Sequence, residues 1–132
     1  MEYGQLKYSK ESPLDLAAAL ELMGNDRELY ESVLETYLES FSDIVTELVF
    51  AAEHGDMESV TRCAHSIKST SRTVGGMRLG DVAAQLEACG KSASRNSVTE
   101  YIEIVKREFE VLLDHLATEG FDVASGKDGA RP

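Results

Sequence analysis

The apolar residues of this chain recur every three or four positions along most of its length, which is the spacing of one face of an α-helix. No segment alternates apolar and polar residues as a half-buried strand does. Glycines interrupt the helical pattern at five places: Gly24, Gly55, Gly75-Gly76, Gly90 and Gly120. We therefore predict an all-α protein, with one short N-terminal helix followed by four long amphipathic helices.

Capping residues predict where these helices begin. Ser12-Pro13-Leu14-Asp15 is typical of a helix N-terminus, and Asn25 or Asp26 and then Asp56 are suited to cap the next two helices. Ser97-Val98-Thr99-Glu100 has the form of a capping box and is expected to open the last helix. Short connections favour antiparallel neighbours, so we expect an up-down-up-down four-helix bundle with the short extra N-terminal helix covering one end.

The 132 residues are enough for one domain. Residues 1–12 are polar and mixed, and we expect them to form an N-terminal arm before a bundle of residues 13–117. The end of the chain lacks periodic apolar residues, so residues 118–132 are predicted to be a disordered tail. The initiating Met1 and the capped first helix favour a free-standing protein. A monomer is expected, because one bundle can bury every apolar stripe.

Charge and hydropathy narrow the possible partners. The chain has 13 Lys and Arg against 24 Asp and Glu, a net charge of −11, which disfavours nucleic acids and anionic membranes. It has no apolar stretch of about 18 residues and no signal peptide, so we expect a cytoplasmic protein. Cys63 and Cys89 are too few for a disulfide framework and are interpreted as reduced core residues.

One segment reverses the overall sign of the charge. Between Val60 and Gly80 the chain contains four basic residues and no acidic one: Arg62, Lys68, Arg72 and Arg78. At about 100° per residue, His65 falls on the polar face of its helix together with Arg62, Lys68, Ser69 and Arg72. Neighbouring cations discourage protonation of an exposed imidazole, which leaves a nucleophilic nitrogen suited to an anionic electrophile. On spacing alone, a surface histidine without a chemical role remains the more common situation.

The longer pattern around His65 resembles the histidine-containing phosphotransfer (HPt) family. It consists of Ala64-His65-Ser66-Ile67-Lys68-Ser69-Thr70-Ser71-Arg72-Thr73-Val74-Gly75, then Leu79, then Leu86-Glu87, and matches the family's spacing without a gap. The resemblance covers residues 13–117 and implies a four-helix bundle that carries the histidine on its second long helix. Ser69 stands where the family usually has glycine.

The resemblance implies a phosphorelay function. HPt proteins take a phosphoryl group from an aspartyl phosphate on one response-regulator receiver domain and pass it to an aspartate on another, through phosphohistidine. His65 would be the acceptor and donor, through Nε2, and Lys68 would stabilise the phosphoryl oxygens. Glu87 would orient Nδ1, although it could equally be a solvated surface acid. Arg62, Ser69 and Arg72 would contribute to receiver docking and to the phosphate environment.

No cofactor is expected to bind this chain. It lacks the Gly-rich nucleotide-binding motifs, so we expect no ATP site and no autonomous kinase activity. No histidine follows a glutamate at the Glu-x-x-His spacing, which argues against a di-iron bundle, and no metal site is predicted. Mg²⁺ would come from the partner receiver. Expected partners are receiver domains and a hybrid sensor histidine kinase.

Two other functions stay open. The chain could be a docking module with the same fold that binds a receiver or kinase without carrying phosphate, for which Ser69 is the only support in the sequence. A purely structural helical bundle is the third possibility, but it leaves the acid-free basic segment and the gapless spacing unexplained.

Overall fold

The structure is a computed structural model that describes residues 12–92 and 95–129, and this part of the chain contains helices and no strand. The helices are α1 (Leu16–Leu22), α2 (Arg27–Glu53), α3 (Met57–Thr73), α4 (Met77–Ser92), α5 (Arg95–Thr118) and α6 (Ala124–Gly129). Helices α2 to α5 pack as the predicted all-α bundle. The predicted N-terminal arm lies outside the described residues, except for Ser12.

The predicted caps of α2 and α3 are confirmed at Asp26 and Asp56, whereas α1 begins at Leu16 with Asp15 as its cap, three residues after the predicted cap Ser12. Asp15, Asp26 and Asp56 each accept a hydrogen bond of 3.1 Å from the backbone N–H three residues later, which satisfies one of the free donors of the first turn. The capping box at Ser97 does not open α5, which begins at Arg95, and α4 continues through Gly90 to Ser92. A local capping pattern is a weak signal when the helix can extend through it.

Helix α1 is fixed to the turn between α3 and α4. The backbone N–H of Asp15 donates to the Gly75 carbonyl at 2.8 Å. Gly75 has a φ of 95°, and a Cβ at this position would lie 2.7 Å from the Asp15 carbonyl oxygen. Only glycine combines this backbone angle with so close an approach. The short helix therefore covers one end of the bundle, as predicted.

Two tyrosine hydroxyls join α2 to α3 inside the core. Tyr30 Oη donates to the Val74 carbonyl at 2.7 Å, and Tyr37 Oη lies 2.7 Å from Ser71 Oγ. Burial raises the pKa of Tyr30 to about 12, against a smaller opposing effect of Arg27, so the hydroxyl stays a donor. Every one of these buried polar atoms has a partner, as a stable core requires.

Small residues let α4 lie close against α3. A Cβ on Gly90 would contact Thr61 Oγ1 and would lie 3.1 Å from the Thr61 backbone nitrogen. A Cβ on Gly80 would lie 2.6 Å from Arg72 Cγ. Because the two glycines lie on either side of Glu87 in the sequence, the contact brings the intervening turns of α4 against the middle of α3.

The prediction of a disordered tail from residue 118 is wrong for the described residues. Helix α5 includes Thr118, the side chains of Phe121 and Val123 are buried, and α6 packs on α2. The Phe121 ring lies 5.2 Å from the Tyr30 ring, with the Arg27 guanidinium 4.3 Å above its centre. Two isolated apolar residues give no helical period, so the sequence pattern did not predict a segment that is buried by contacts with a distant helix. Residues 130–132 lie outside the described residues.

Two further features agree with the sequence. Cys63 is buried and Cys89 half-buried, and neither forms a disulfide. Burial raises the pKa of both thiols, so the protonated form is favoured. Among the described helices, none combines the length and the apolar character needed to cross a membrane.

Candidate functional site

His65 lies in the middle of α3 and its side chain is 61% exposed. Arg62, Lys68, Ser69 and Arg72 lie on the same side of the helix, and none of them is buried. The opposite side of α3 packs into the core through Val60, Ala64, Ile67 and Ser71. The amphipathic pattern thus fixes the imidazole at the protein surface on a rigid helix.

Glu87 of α4 lies next to the imidazole. His65 Nδ1 is 3.1 Å from Glu87 Oε2, and the carboxylate side chain is only 11% exposed. A hydrogen bond from Lys68 is the main cause that lowers the Glu87 pKa; burial opposes it, and the bond with His65 lowers it further. The ionised carboxylate accepts a hydrogen bond from Nδ1–H, which selects the ring tautomer with a free lone pair on Nε2. Glu87 is therefore not a solvated surface acid.

The same carboxylate contacts two lysines. Lys68 Nζ donates to Glu87 Oε1 at 2.7 Å. Lys91, one turn after Glu87 on α4, places its Nζ 3.8 Å from Oε2. Lys91 is not among the residues predicted for the site, although its position four residues after Glu87 indicates this contact.

The basic residues of α3 are paired with acids from other helices. Arg62 contacts Glu47 of α2 at 2.6 Å, and Arg72 contacts Asp81 of α4 at 2.8 Å. Folding therefore offsets the positive charge that the acid-free segment predicted around His65. Such exposed pairs contribute little to stability.

Arg78 is part of a different contact. Its Nη2 lies 2.7 Å from Oε2 of Glu108, a side chain of α5 that is almost fully buried. This pair joins α4 to α5, so Arg78 does not add to the charge near His65.

An open groove runs beside His65 between α3 and α4. Its lining residues include Thr61, Arg62, His65, Glu87, Gly90 and Lys91. Gly90, which packs against Thr61, contributes no side chain to it, and the groove is open to solvent beside the His65 ring. Two cations, Arg62 and Lys91, and two carboxylates, Glu58 and Glu87, line it, so the groove as a whole has no excess of positive charge.

The other two histidines, His54 and His115, do not line this groove. His54 and His115 place Nδ1 at 2.8 Å and 3.0 Å from carbonyl oxygens of their own helices. Among residues 12–92 and 95–129, no group of three or more His, Cys, Asp or Glu side chains is arranged to hold a metal ion.

Comparison with protein families identifies the family of the chain. A family model described as the Hpt domain matches residues 32–119, which include His65, Lys68, Glu87 and Lys91. The chain belongs to the Hpt family. Searches of curated proteins and of solved structures found no match. Hpt domains act in phosphorelays, where they interact with receiver domains and kinases. The resemblance seen in the sequence is confirmed, and the surface around His65 is the candidate site of an Hpt domain.

Proposed function

We propose that this Hpt domain accepts a phosphoryl group on His65 from the aspartyl phosphate of one receiver domain and transfers it to an aspartate of a second. The observation that carries the proposal is the pairing of His65 Nδ1 with the nearly buried carboxylate of Glu87 on an otherwise exposed ring. One nitrogen is held by the protein, and the other is left for a partner.

The transfer requires no proton movement on this chain. The lone pair of Nε2 attacks phosphorus, the bond between phosphorus and the aspartate oxygen breaks, and the carboxylate leaves with the electron pair. Nδ1 keeps its proton, so the phosphorylated ring becomes cationic. The ionised Glu87 balances this charge through the bond to Nδ1. Attack by the aspartate of the second receiver on phosphorus reverses each change and restores the neutral ring.

The residues around His65 have positioning and electrostatic roles in this proposal. Lys68 has three N–H donors, and its bond to Glu87 leaves others for phosphoryl oxygens. Ser69, one turn after His65, offers a hydroxyl where the family usually has glycine. Arg62 and Arg72 contact the receiver, where they exchange their acidic partners for those of the receiver surface. Mg²⁺ belongs to the receiver in this scheme.

We propose receiver domains of response regulators and a hybrid sensor kinase as partners, with the domain acting as a monomer in the cytoplasm. Support for the monomer comes from the core, which covers most of the apolar surface. Among the described residues, the exposed large apolar side chains are Leu22, Leu29 and Phe50. They are distributed over the two ends of α2 and the end of α1 and do not form one broad patch.

The test is a mass measurement after incubation with Mg²⁺ and a panel of phosphorylated receiver domains. We expect the wild-type protein to gain one acid-labile phosphoryl group and His65→Gln to gain none. His115→Gln is the matched control, because His115 is also exposed and lies on α5, away from the groove. A His65→Gln protein that still accepts the group would refute the proposal. Binding of a receiver without any gain of mass would favour a docking module instead.

A further inference from the structure

The hydroxyl of Ser69 is an unused donor on the exposed side of α3, one turn after His65. The threonines of the same helix differ from it, because Thr61, Thr70 and Thr73 each donate to the carbonyl oxygen one turn earlier. Among the described residues, no side chain or carbonyl forms a hydrogen bond with the Ser69 hydroxyl. The chain therefore presents a free donor at a position where its family usually has glycine.

Helical geometry places Ser69 on the side of His65 that faces away from α4. At about 100° per residue, Lys68 is rotated about 60° to one side of His65 and Ser69 about 40° to the other. Lys68 contacts Glu87 of α4 at 2.7 Å, so its side of His65 is the side next to α4. Side chains on a helix lean toward the N-terminus, which tilts Ser69 toward His65. Ser69 thus lies beside the imidazole, opposite to the carboxylate.

A receiver that docks on His65 must also cover Ser69. The Cβ atoms of residues four apart on a helix are separated by about 5–6 Å. One partner of a standard protein interface covers about 800 Å², which is a disc about 16 Å in radius. Docking centred on His65 therefore removes the Ser69 hydroxyl from water, which leaves the receiver as the source of its hydrogen-bond partner.

Burial of this hydroxyl discriminates between receivers. A hydroxyl that donates to an acceptor across the interface contributes to binding, whereas one that is buried without a partner weakens it. A glycine at this position has no side chain and imposes no such requirement. Sites that bury a polar group reject partners that leave the group unpaired, and this is a common source of specificity.

We propose that Ser69 is a specificity-determining residue, whose hydroxyl selects receiver domains that present a hydrogen-bond acceptor beside their phosphorylated aspartate. The proposal rests on the phosphorelay function above, because it assumes that receivers dock on His65. Ser69 takes part in no covalent step. Receivers that place an apolar side chain against Ser69 are disfavoured, because they bury its hydroxyl without a partner.

The first test measures dissociation constants for a panel of receiver domains with the wild type, Ser69→Ala and Ser69→Gly. Ser69→Ala keeps the Cβ and removes only the hydroxyl. For the receiver that binds the wild type most tightly, we expect it to weaken binding about fivefold, the loss of one neutral hydrogen bond. Weakly bound receivers should gain affinity, so the range across the panel narrows. Ser125→Ala is the matched control, because it removes a serine hydroxyl from α6, which packs on α2.

The second test compares two phosphoryl donors. Phosphoramidate is a small donor that does not cover Ser69, so we expect it to phosphorylate His65 of Ser69→Ala at the wild-type rate. Transfer from the tightly bound receiver, at limiting receiver concentration, should be about fivefold slower in Ser69→Ala. Slower reaction with phosphoramidate as well would mean that Ser69 acts on His65 itself, which would overturn the proposal.

The two variants at position 69 also separate the hydroxyl from the Cβ. Receiver affinities that change in Ser69→Gly but not in Ser69→Ala would assign the selection to the Cβ and overturn the role of the hydroxyl. Wild-type affinities in both variants would do the same. A receiver that binds the wild-type protein without phosphorylating it would refute the proposed function, whereas its dissociation constants would still test Ser69.

Discussion

Replacement of Gly90 by alanine tests how tightly α3 and α4 pack at this position. The added Cβ would meet the hydroxyl of Thr61 and would lie 3.1 Å and 3.3 Å from its backbone nitrogen and Cα. The hydroxyl can rotate, but backbone atoms in a packed helix cannot, so the two helices must separate. Overpacking of this kind typically costs about 1–3 kcal/mol.

Gly80→Ala is a closely matched control on the same helix. Both substitutions gain about 1 kcal/mol of helix propensity, which cancels in the comparison. At Gly80 the new Cβ would meet the side chain of Arg72, with Cγ at 2.6 Å. Arg72 is partly exposed and can move at the cost of its pair with Asp81, which is worth at most about 1 kcal/mol. We therefore expect Gly90→Ala to be less stable than Gly80→Ala by about 1–2 kcal/mol.

Urea unfolding followed by circular dichroism measures this difference, provided that both variants unfold with the same slope. The phosphotransfer rate gives a second readout, because separation of the helices at Gly90 also moves Glu87 away from His65. We expect the rate to fall in Gly90→Ala. Equal unfolding free energies for the two variants would show that the contact with Thr61 is not tight, and the reasoning would be wrong.

Two further predictions concern Glu87 and the C-terminal segment. The folded-state pKa of Glu87 is lowered, mainly by the bond from Lys68, so its contribution to stability is full above the ordinary glutamate pKa and is lost as the pH falls through the lowered value. The difference in unfolding free energy between wild type and Glu87→Gln, from urea unfolding at several pH values, should shrink over that acidic range; a constant difference would contradict the charge interaction. Phe121→Ala should cost about 3 kcal/mol, because it removes a buried ring from the contact with Tyr30. An unchanged thermal midpoint would show that residues after 120 do not belong to the folding unit.

Most of the fold could be predicted from local signals. The apolar period, the aspartate caps and the glycines between helices are properties of neighbouring residues, and they located α1 to α5 to within a few residues. The C-terminal segment could not be found in this way. Phe121 and Val123 are buried, and the Phe121 ring lies against Tyr30 of α2, a contact between residues far apart in the sequence that no local pattern shows.

The candidate site shows the same division between features that local sequence patterns predict and features that depend on contacts between distant residues. Helical spacing correctly placed His65 on the exposed face of α3, but the family resemblance, and not the spacing, indicated Glu87. The charge around His65 was the least predictable property. The acids that pair with Arg62 and Arg72 come from α2 and α4, at sequence separations that no helical pattern connects. A segment that contains basic residues and no acidic ones is therefore weak evidence for a basic surface in a helical bundle.

The two buried tyrosine hydroxyls have a consequence for the position of α3, the helix that contains His65. Apolar helix faces can slide past each other by a turn with modest loss of contact, which makes several packings nearly equal in energy. A slide of α3 against α2 would leave the hydroxyls of Tyr30 and Tyr37 buried without partners, at a cost of about 1–3 kcal/mol each. These bonds select one packing among the alternatives. His65 is thus held at one position along the bundle, and in the proposed relay different receivers would encounter the same acceptor geometry.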